Sequence, residues 1–516
     1  MSVVPSRRAV LKGAVVLAAL PVAGFSTGPR DRLRLARVPA DPFTLGVASG
    51  DPSPDGAVIW TRLAPNPLAD DGFGGMPAQP VDVDWEVAAD ERFSRVEQRG
   101  TITATPESAH SVHVELAGLR PAADYFYRFR AAGYLSTAGR TRTAPDPGSL
   151  TPMTMCVASC SNYEQGWFTA YRRLAEEHPD LVVHLGDYHY EYAGRDGGVR
   201  RHVGPETATL ANYRQRYAQY KTDSDLQAAH AAAPWLVVFD DHELANNWAG
   251  DVPDTPQPAF GVRRAAALRA YYENMPLRRS AMPTGAGMQL YRRVPWGDLA
   301  TFHMLDTRQY RTDQACGDRT RTDCVERRDP SATMTGAEQE RWLLNGFQQS
   351  RARWDVLGQQ VFFSQMDLTP GPARTYNPDA WDGYTANRDR IVAGIVNSPV
   401  RNAVMLTGDI HSHWAAEVHQ RFADPASPVV ATELVTTSIS SGGDGSDVAA
   451  DTAAVLSENP HIRYFSGRRG YVRARVTAGE IRADFRIVPV VSRPGGQVHT
   501  GATFGIPDRA PVLHSL

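Results

Sequence analysis

Four short segments place metal-binding or proton-transferring side chains directly after an apolar run. Cys160 follows "MTMCVAS", and Asp187 and Tyr190 follow "LVVHLG". Residues 240–246, "DDHELAN", follow "WLVVF", and residues 409–413, "DIHSH", follow "AVMLTG". The run "DDHE" is informative because ionisable groups behind a buried strand must be paired or bound to a ligand. Together the segments indicate metal binding or proton transfer.

The side chains in these segments divide into two classes of metal ligand. Carboxylates and the amide of Asn246 offer hard oxygens, which suit Ca²⁺, Mg²⁺ or Mn²⁺. Imidazole, thiolate and phenolate suit a transition metal. A tyrosine, whose ordinary pKa is about 10, loses its proton only to a strongly Lewis-acidic ion such as Fe³⁺. The ligand set therefore predicts an iron-like ion beside one or two hard divalent ions.

The elements that must position these residues begin after residue 152, where apolar strands alternate with helical segments. Residues 165–178 carry apolar side chains at helical spacing, and Thr335 with Glu338 predicts a capping box before another helix. Such alternation predicts an α/β layered domain. Ligands of open α/β sheets collect beyond the carboxyl ends of the strands. We therefore expect the four segments to converge in one cleft.

Residues 40–145 have a different pattern, made of short strands and turns. The segment "VDVDWEV" alternates strictly between apolar and polar residues, and Tyr125 follows "LRPAAD" as in a tyrosine corner. A stretch rich in Pro and Gly, residues 143–152, reads as a linker. The sequence predicts a small immunoglobulin- or fibronectin-like β-sandwich at 40–145 and an α/β domain at 152–516.

The first 28 residues have a positive start, a short apolar core and small residues after it, which is typical of a signal peptide. Arg7 and Arg8 favour the twin-arginine export route, with an ordinary secretory signal as the alternative. We expect a secreted, periplasmic or cell-wall-associated monomer that meets the twin-arginine translocase during export. The net charge of −3 shows no basic footprint of a nucleic-acid-binding domain.

Export makes the four cysteines informative. Cys316 and Cys324 lie close together in a polar loop, which predicts a local disulfide. A bridge between Cys156 and Cys160 is geometrically poor, because strand residues four apart exceed the limit of about 7 Å on the Cα separation. One of this second pair is therefore expected to have another role.

The order of these motifs resembles the PhoD-like alkaline phosphatases, a family of secreted metallophosphoesterases. The resemblance covers nearly the whole mature chain, through "GVASGDPSPDGAVIWTRL", "ASC", "GDYHYE", "FDDHELANNWAG", "LDTRQYR", "GDIHSHW" and "TTSISSGG". His189 and Phe239 depart from the residues that are common in the family, and neither departure removes a ligand. The resemblance implies a metallophosphoesterase-like αββα catalytic domain behind the β-sandwich.

The same resemblance implies the ligands and the cofactors, one Fe³⁺ and one or two Ca²⁺. Iron is expected on Cys160, Asp187, Tyr190 and His411. Asp187 is expected to bridge to a Ca²⁺ that also takes Asn246 and Asp409, with Asp241 supporting this calcium directly or through water. The ligands of a second calcium are left open, and so is the role of His413.

Two further residues are candidates for catalytic roles. His242 is expected to donate a proton or to contact the phosphate; the alternative is that it only hydrogen-bonds a carboxylate ligand. Arg308 is expected to contact the substrate phosphate; the alternative is a structural ion pair with Asp306.

The expected reaction is metal-assisted hydrolysis of phosphate mono- and diesters. Phospholipids are further candidate substrates, which makes a phospholipase D-type phosphodiesterase one alternative. A secreted metal- or phosphate-binding protein is the non-enzymatic alternative. Trp248, Trp381 and Tyr384 could form an aromatic rim for the second substituent of a diester; the alternative is that they are ordinary core packing.

Overall fold

A computed structural model describes residues 38, 40–424, 426–449 and 451–516. The predicted signal segment, residues 1–28, lies outside them. Among the described residues, no helix has both the length and the apolar character needed to cross a membrane.

The strands of the N-terminal part are β1 (Val47–Ser53), β2 (Gly56–Arg62), β3 (Val81–Ala88), β4 (Val96–Ala104), β5 (Ser111–Glu115), β6 (Asp124–Ala131), β7 (Tyr134–Leu135) and β8 (Gly139–Arg142). The next strands are β9 (Met153–Ala158), β10 (Leu181–His184), β11 (Pro234–Val237), β12 (Arg292–Trp296), β13 (Ala300–Met304), β14 (Arg321–Thr322), β15 (Trp354–Gly358) and β16 (Thr375–Tyr376). The last are β17 (Ala403–Thr407), β18 (His413–His419), β19 (Val429–Val435), β20 (Gly445–Ser446), β21 (Ile462–Val476), β22 (Glu480–Val488), β23 (His499–Pro507) and β24 (His514–Ser515).

The helices are α1 (Thr169–Glu176), α2 (Leu210–Lys221), α3 (Ser224–Ala232), α4 (Phe260–Asn274), α5 (Gly336–Gln348), α6 (Thr385–Val396) and α7 (Thr452–Glu458). The helix predicted within 165–178 is therefore present as α1. The capping box predicted for α5 is wrong: Thr335 makes no side-chain cap and its hydroxyl instead donates to Asn387 Oδ1 (3.2 Å).

Two sheets form the layers of the α/β part and share the long strand β21. In the first sheet β9, β10 and β11 run parallel, and β9 pairs with the C-terminal half of β21. In the second sheet β13, β15, β17 and β19 run parallel, and β18 pairs with both β19 and the start of β21. One strand thus connects the two layers.

The faces of the second sheet divide its side chains between two cores. Val356 and Val404 pack with side chains of the first sheet, such as Val183. Their neighbours Leu357 and Met405 pack on the other face, with side chains of α5 and α6. Successive strand residues point to opposite faces, so strands buried on both faces read as continuous apolar runs.

The N-terminal region contributes to both a sheet of its own and the catalytic sheet. Strands β3, β4, β6, β7 and β8 form the separate antiparallel sheet. Strand β2 pairs with β1 and β5, and β1 pairs in parallel with β11 through Ser49 and Pro234. The tyrosine corner is present, because the backbone N–H of Arg120 donates to Tyr125 Oη (2.9 Å). The predicted domain limits, 40–145 and 152–516, stay a prediction.

The cysteines have the predicted arrangement. Cys316 and Cys324 form a disulfide. Cys156 and Cys160 are both free and buried. The thiol of Cys160 is therefore available as a ligand.

Candidate metal centre

The chain turns sharply at the carboxyl ends of three parallel strands. Cys160 follows β9, Asp187 follows β10, and Asp409 and His411 follow β17, all with left-handed φ values of 54–62°. Non-glycine residues adopt this region at a cost, and such outliers persist where the surroundings enforce them, often at functional sites. The four strained residues are all predicted metal ligands.

The loop after β10 needs a glycine at position 186. The φ of Gly186 is +104°, and a Cβ there would lie 2.5 Å from the backbone nitrogen of Asp240. Glu243 joins the same two segments. Its carboxylate accepts hydrogen bonds from the backbone N–H groups of Asp187 (3.0 Å), Tyr188 (2.7 Å) and Asp240 (3.0 Å). The motifs "GDYHYE" and "DDHE" are thereby held together.

The four predicted iron ligands lie together. Donor atoms of Cys160, Asp187 and His411 are all within 4.8 Å of one another. Tyr190 Oη donates to Asp187 Oδ2 (2.8 Å) and lies 3.0 Å from His411 Nε2. Thiol, carboxylate, phenol and imidazole thus converge on one point, as a transition metal requires.

An oxygen-only group lies beside them. Donor atoms of Asp240, Asp241 and Asp409 are also within 4.8 Å of one another. Asp240 Oδ2 and Asp241 Oδ1 are buried without a hydrogen-bond partner among the described residues. Burial, with neighbouring carboxylates, raises the pKa of Asp240 to about 8 and that of Asp187 to about 7. A divalent cation would relieve this crowding of carboxylates.

Arg308 is placed differently from both expectations. Its side chain is fully buried, Nε donates to Asp240 (2.6 Å), and Nη1 and Nη2 donate to Asp379 (2.8 and 2.9 Å). The ion pair expected with Asp306 is wrong. From Arg308, the Asp306 carboxylate accepts the backbone N–H alone, and it also accepts the backbone and side-chain N–H groups of Gln309. The guanidinium holds acidic residues and faces no open cleft, which argues against the expected phosphate contact.

The Asn246 side chain contacts an acidic residue that was not predicted as a ligand. Its Nδ2 donates to Asp254 Oδ2 (3.4 Å), and its role as a calcium ligand stays a prediction. The next residue, Asn247, donates its backbone N–H to Asp241 Oδ2 (2.7 Å). Asp240, which was not predicted as a ligand, lies with Asp241 beside Asp409.

His242 lies against the predicted iron ligand Tyr190, with ring centroids 4.1 Å apart. Its Nδ1 is 2.7 Å from Glu191 Oε2. Burial disfavours the imidazolium, but the carboxylates of Asp241, Glu191 and Asp187 outweigh it and raise the pKa of His242 well above its ordinary value. The His242 imidazole is therefore favoured in its protonated form beside the predicted iron ligand Tyr190.

Ser441 and Arg469 are functional candidates that the sequence did not single out. Ser441 Oγ lies 2.7 Å from Tyr190 Oη and 2.9 Å from the carbonyl oxygen of Cys160. Arg469 Nη1 donates to the carbonyl oxygens of His411 (2.7 Å) and Ser441 (2.5 Å). Ser441 lies in "TTSISSGG", so the motif was the available signal; Arg469 lies in β21 with no local signal.

Other residues named from the sequence have structural roles. The predicted aromatic rim is wrong, because Trp248, Trp381 and Tyr384 are fully buried. Trp381 Nε1 donates to Gln359 and the Tyr384 hydroxyl donates to a backbone carbonyl, so both are core packing. His413 is buried too, and its Nδ1 accepts the backbone N–H of Thr437 (3.1 Å).

Comparisons with known proteins show what this chain is similar to. The profile described as "PhoD-like phosphatase" matches residues 155–485, and the one described as "PhoD-like phosphatase, N-terminal domain" matches residues 30–145. Alkaline phosphatase D of Bacillus subtilis (strain 168) is 50% identical over 471 residues, which span 90% of this chain and 80% of that protein.

Solved structures show the same architecture. The structure of PhoD superposes with a TM-score of 0.90 at 49% identity, over 93% of each chain. The purple acid phosphatase PPD1 from yellow lupin (Lupinus luteus) seeds superposes with a TM-score of 0.53 at 12% identity, over 90% of this chain and 73% of the other. The second similarity concerns the fold alone, and together they confirm the predicted metallophosphoesterase-like architecture.

Proposed function

We propose, from the premise that this chain belongs to the PhoD-like phosphatase family, that it hydrolyses phosphate mono- and diesters with an Fe³⁺ ion and one or two Ca²⁺ ions. Phosphoric ester hydrolysis is the activity of an enzyme in this family, and metal-binding residue groups are present. The identity of the metals and the breadth of substrates are the parts proposed here.

The observation that carries the proposal is the presence of two neighbouring donor sets at the carboxyl ends of the strands. Cys160, Asp187, Tyr190 and His411 offer the mixed ligands that suit Fe³⁺. Asp240, Asp241 and Asp409 offer oxygens alone, which suit Ca²⁺. The buried carboxylate oxygens without partners support a cation between them. Asn246, predicted from the sequence as a further calcium ligand, donates its side-chain Nδ2 to Asp254, which leaves its amide oxygen to serve as the ligand.

When bound, the metal ions supply Lewis acidity toward the phosphoryl group. The chain's own residues hold protons and orient groups around it. In this structure the Tyr190 hydroxyl keeps its proton and donates a hydrogen bond to Asp187. This proton must leave before Tyr190 can act as a phenolate ligand. We assign the proton donor's role to His242: its raised pKa favours the protonated imidazole, Glu191 holds Nδ1, and Nε2 would give its proton to the leaving oxygen.

A cleft of about 420 Å³ is lined by Glu191, the residue that contacts His242 Nδ1, and we assign the leaving group to it. Its walls include Glu191, Tyr192, Asn246, Asp254 and Arg263. Arg263 is already paired with Glu206 (3.0 Å), and Arg308 is engaged by Asp240 and Asp379. Neither arginine is dedicated to the second charge of a monoester, so the site can accept the monoanion of a diester.

The test compares an aryl phosphate monoester with its bis-aryl diester under identical metal loading. We expect turnover of both, loss of activity with a calcium chelator, and recovery when Ca²⁺ is added back. Elemental analysis is expected to find iron. Failure to hydrolyse the diester would refute the diesterase part, and activity that survives complete calcium removal would refute the catalytic calcium.

We also propose export through the twin-arginine translocase, since Arg7 and Arg8 precede an apolar segment. The disulfide of Cys316 and Cys324 fits an oxidising compartment outside the cytoplasm. Replacing Arg7 and Arg8 by lysine should retain the protein in the cytoplasm, measured by fractionation against the unaltered chain. Export that continues at an unchanged level would favour the ordinary secretory signal.

A further inference from the structure

The disulfide of Cys316 and Cys324 closes a loop that is anchored outside the metal centre. The backbone N–H of Cys316 donates to Glu326 (2.6 Å), and that of Asp323 donates to the carbonyl oxygen of Arg374 (2.9 Å). Strand β14, which lies within the loop, pairs with β16, which lies outside it. These contacts anchor the loop at positions that lie outside the metal centre.

One residue of the loop, Asp318, does reach the site. Its Oδ2 accepts a hydrogen bond from Asn247 Nδ2 (2.7 Å), although the two residues are 71 positions apart. Gln314, just before the loop, donates to the Asn247 carbonyl oxygen (2.6 Å) and to Asp379 (2.9 Å). Asn247 is therefore held at both its side chain and its backbone.

Asn247 needs this support because its own backbone is strained. Its φ is +48°, in the left-handed region, which residues other than glycine keep only when the surroundings enforce it. In this conformation the Asn247 N–H donates to Asp241 Oδ2 (2.7 Å), while Asp241 Oδ1 remains without a partner. The orientation of the Asp241 carboxylate thus depends on the turn at Asn247.

We propose that Asp318 is a positioning residue for the oxygen-ligand side of the metal centre, acting through Asn247 on Asp241. The disulfide serves this role by keeping Asp318 within reach of Asn247. The inference rests on the proposed function where it concerns calcium, and on the geometry alone where it concerns the turn.

The geometric part is tested by hydrogen–deuterium exchange of the purified full-length protein. Asp318→Ala should raise the exchange rate of the Asn247 amide, seen in peptides covering 245–249, roughly tenfold, as expected for loss of one charge-assisted hydrogen bond. Asp323→Ala is the matched control, since Asp323 lies in the same loop, is exposed and also has a positive φ. Equal exchange in Asp318→Ala and the wild type would overturn the proposal.

The calcium part is tested by titrating Ca²⁺ into chelator-treated enzyme and following diester hydrolysis. Asp318→Ala should require roughly tenfold more Ca²⁺ for half-maximal activity, with kcat at saturating Ca²⁺ nearly unchanged. Asp318→Asn keeps an acceptor oxygen for Asn247 and should behave as the wild type does. If Asp318→Asn loses as much affinity as Asp318→Ala, Asp318 binds the cation itself and the positioning role is refuted.

The role of the disulfide is tested by combining variants. Replacing Cys316 and Cys324 together by serine should reproduce the exchange and calcium effects of Asp318→Ala, and adding Asp318→Ala should change neither further. Effects that add would show that the loop and Asp318 act separately, which contradicts the proposal. The exchange experiment needs no turnover, so it still decides the geometry if the enzyme proves independent of calcium.

Discussion

At the scale of single residues, Tyr190 has the chemistry that most restricts the metal. Its hydroxyl contacts Asp187, His411 and Ser441 at 2.7–3.0 Å. A tyrosine hydroxyl loses its proton and becomes a phenolate ligand only on a strongly Lewis-acidic ion. Iron and its neighbours can therefore be probed by spectroscopy without following activity.

We expect a visible charge-transfer band in the metal-loaded protein, which Tyr190→Phe should bleach. Ser441→Ala should shift the band without removing it, because Ser441 contributes a hydrogen bond at the phenolic oxygen and no ligand. Ser440→Ala is the matched control, since Ser440 is buried in the same loop but contacts Asn162 instead. A colourless, iron-free and fully active enzyme would contradict the iron assignment.

Arg308 allows a second test at this scale. Because its guanidinium is held by Asp240 and Asp379, Arg308→Lys should weaken Ca²⁺ binding and leave KM for the phosphate ester nearly unchanged at saturating Ca²⁺. A point charge cannot reproduce the bidentate contact with Asp379. A large rise in KM with normal calcium binding would instead support the substrate contact expected from the sequence.

At the scale of elements, Arg62 of β2 fastens the N-terminal strands to the helices of the catalytic part. The side chain is fully buried and donates to the carbonyl oxygens of Gly72, Ala109 and Arg214 and to Asn274 Oδ1. Its acceptors come from segments far apart in sequence. The motif "GVASGDPSPDGAVIWTRL" therefore serves a structural contact.

Arg62→Met should lower the free energy of unfolding by roughly 2–4 kcal/mol, because several buried carbonyl oxygens would lose their donor. Chemical denaturation of the metal-loaded protein measures this change. Arg99→Met, on an exposed position of β4, should stay within about 0.5 kcal/mol of the wild type. A similar small effect for both variants would refute the proposed role of Arg62.

At the scale of the whole molecule, several histidines are buried in the neutral form. Burial lowers the pKa of His113 and His461 to about 4 and that of His202 to about 3. Nε2 of His113 lies 3.0 Å from the carbonyl oxygen of Tyr272 and 2.9 Å from that of Met275, contacts that join β5 to α4. The unfolded chain therefore binds more protons than the folded protein between these values and about 6.5.

The contribution of these buried histidines to stability should accordingly be fully present above pH 6.5 and be lost as the pH drops toward 4. His113 alone should contribute about 1–2 kcal/mol of the loss at pH 5. The melting temperature of the metal-loaded protein between pH 7.5 and 5 measures the effect, and His113→Gln should reduce the slope. A melting temperature that rises on acidification, or a slope identical in the variant, would contradict this account.

The sequence by itself determined the chemistry of the centre and most of the elements around it. Residue types at strand ends depend on local order alone, so the mixed ligand set could be predicted from the residues, while the resemblance to the family grouped Cys160, Asp187, Tyr190 and His411. Short-range constraints also predicted the disulfide of Cys316 with Cys324 and the tyrosine corner at Tyr125. These features involve residues close in sequence or patterns with a fixed period.

Only the tertiary structure decided which partners the long and polar side chains take. Arg308 reaches Asp240 and Asp379, which are 68 and 71 positions away, and not the adjacent Asp306. Asn247 donates its N–H to Asp241 while Asn246 donates its amide to Asp254, and Trp381 and Tyr384 are buried in a core that no local pattern reveals. Burial and pairing of such groups depend on how distant segments meet, because a buried charge must find its partner wherever the fold provides one.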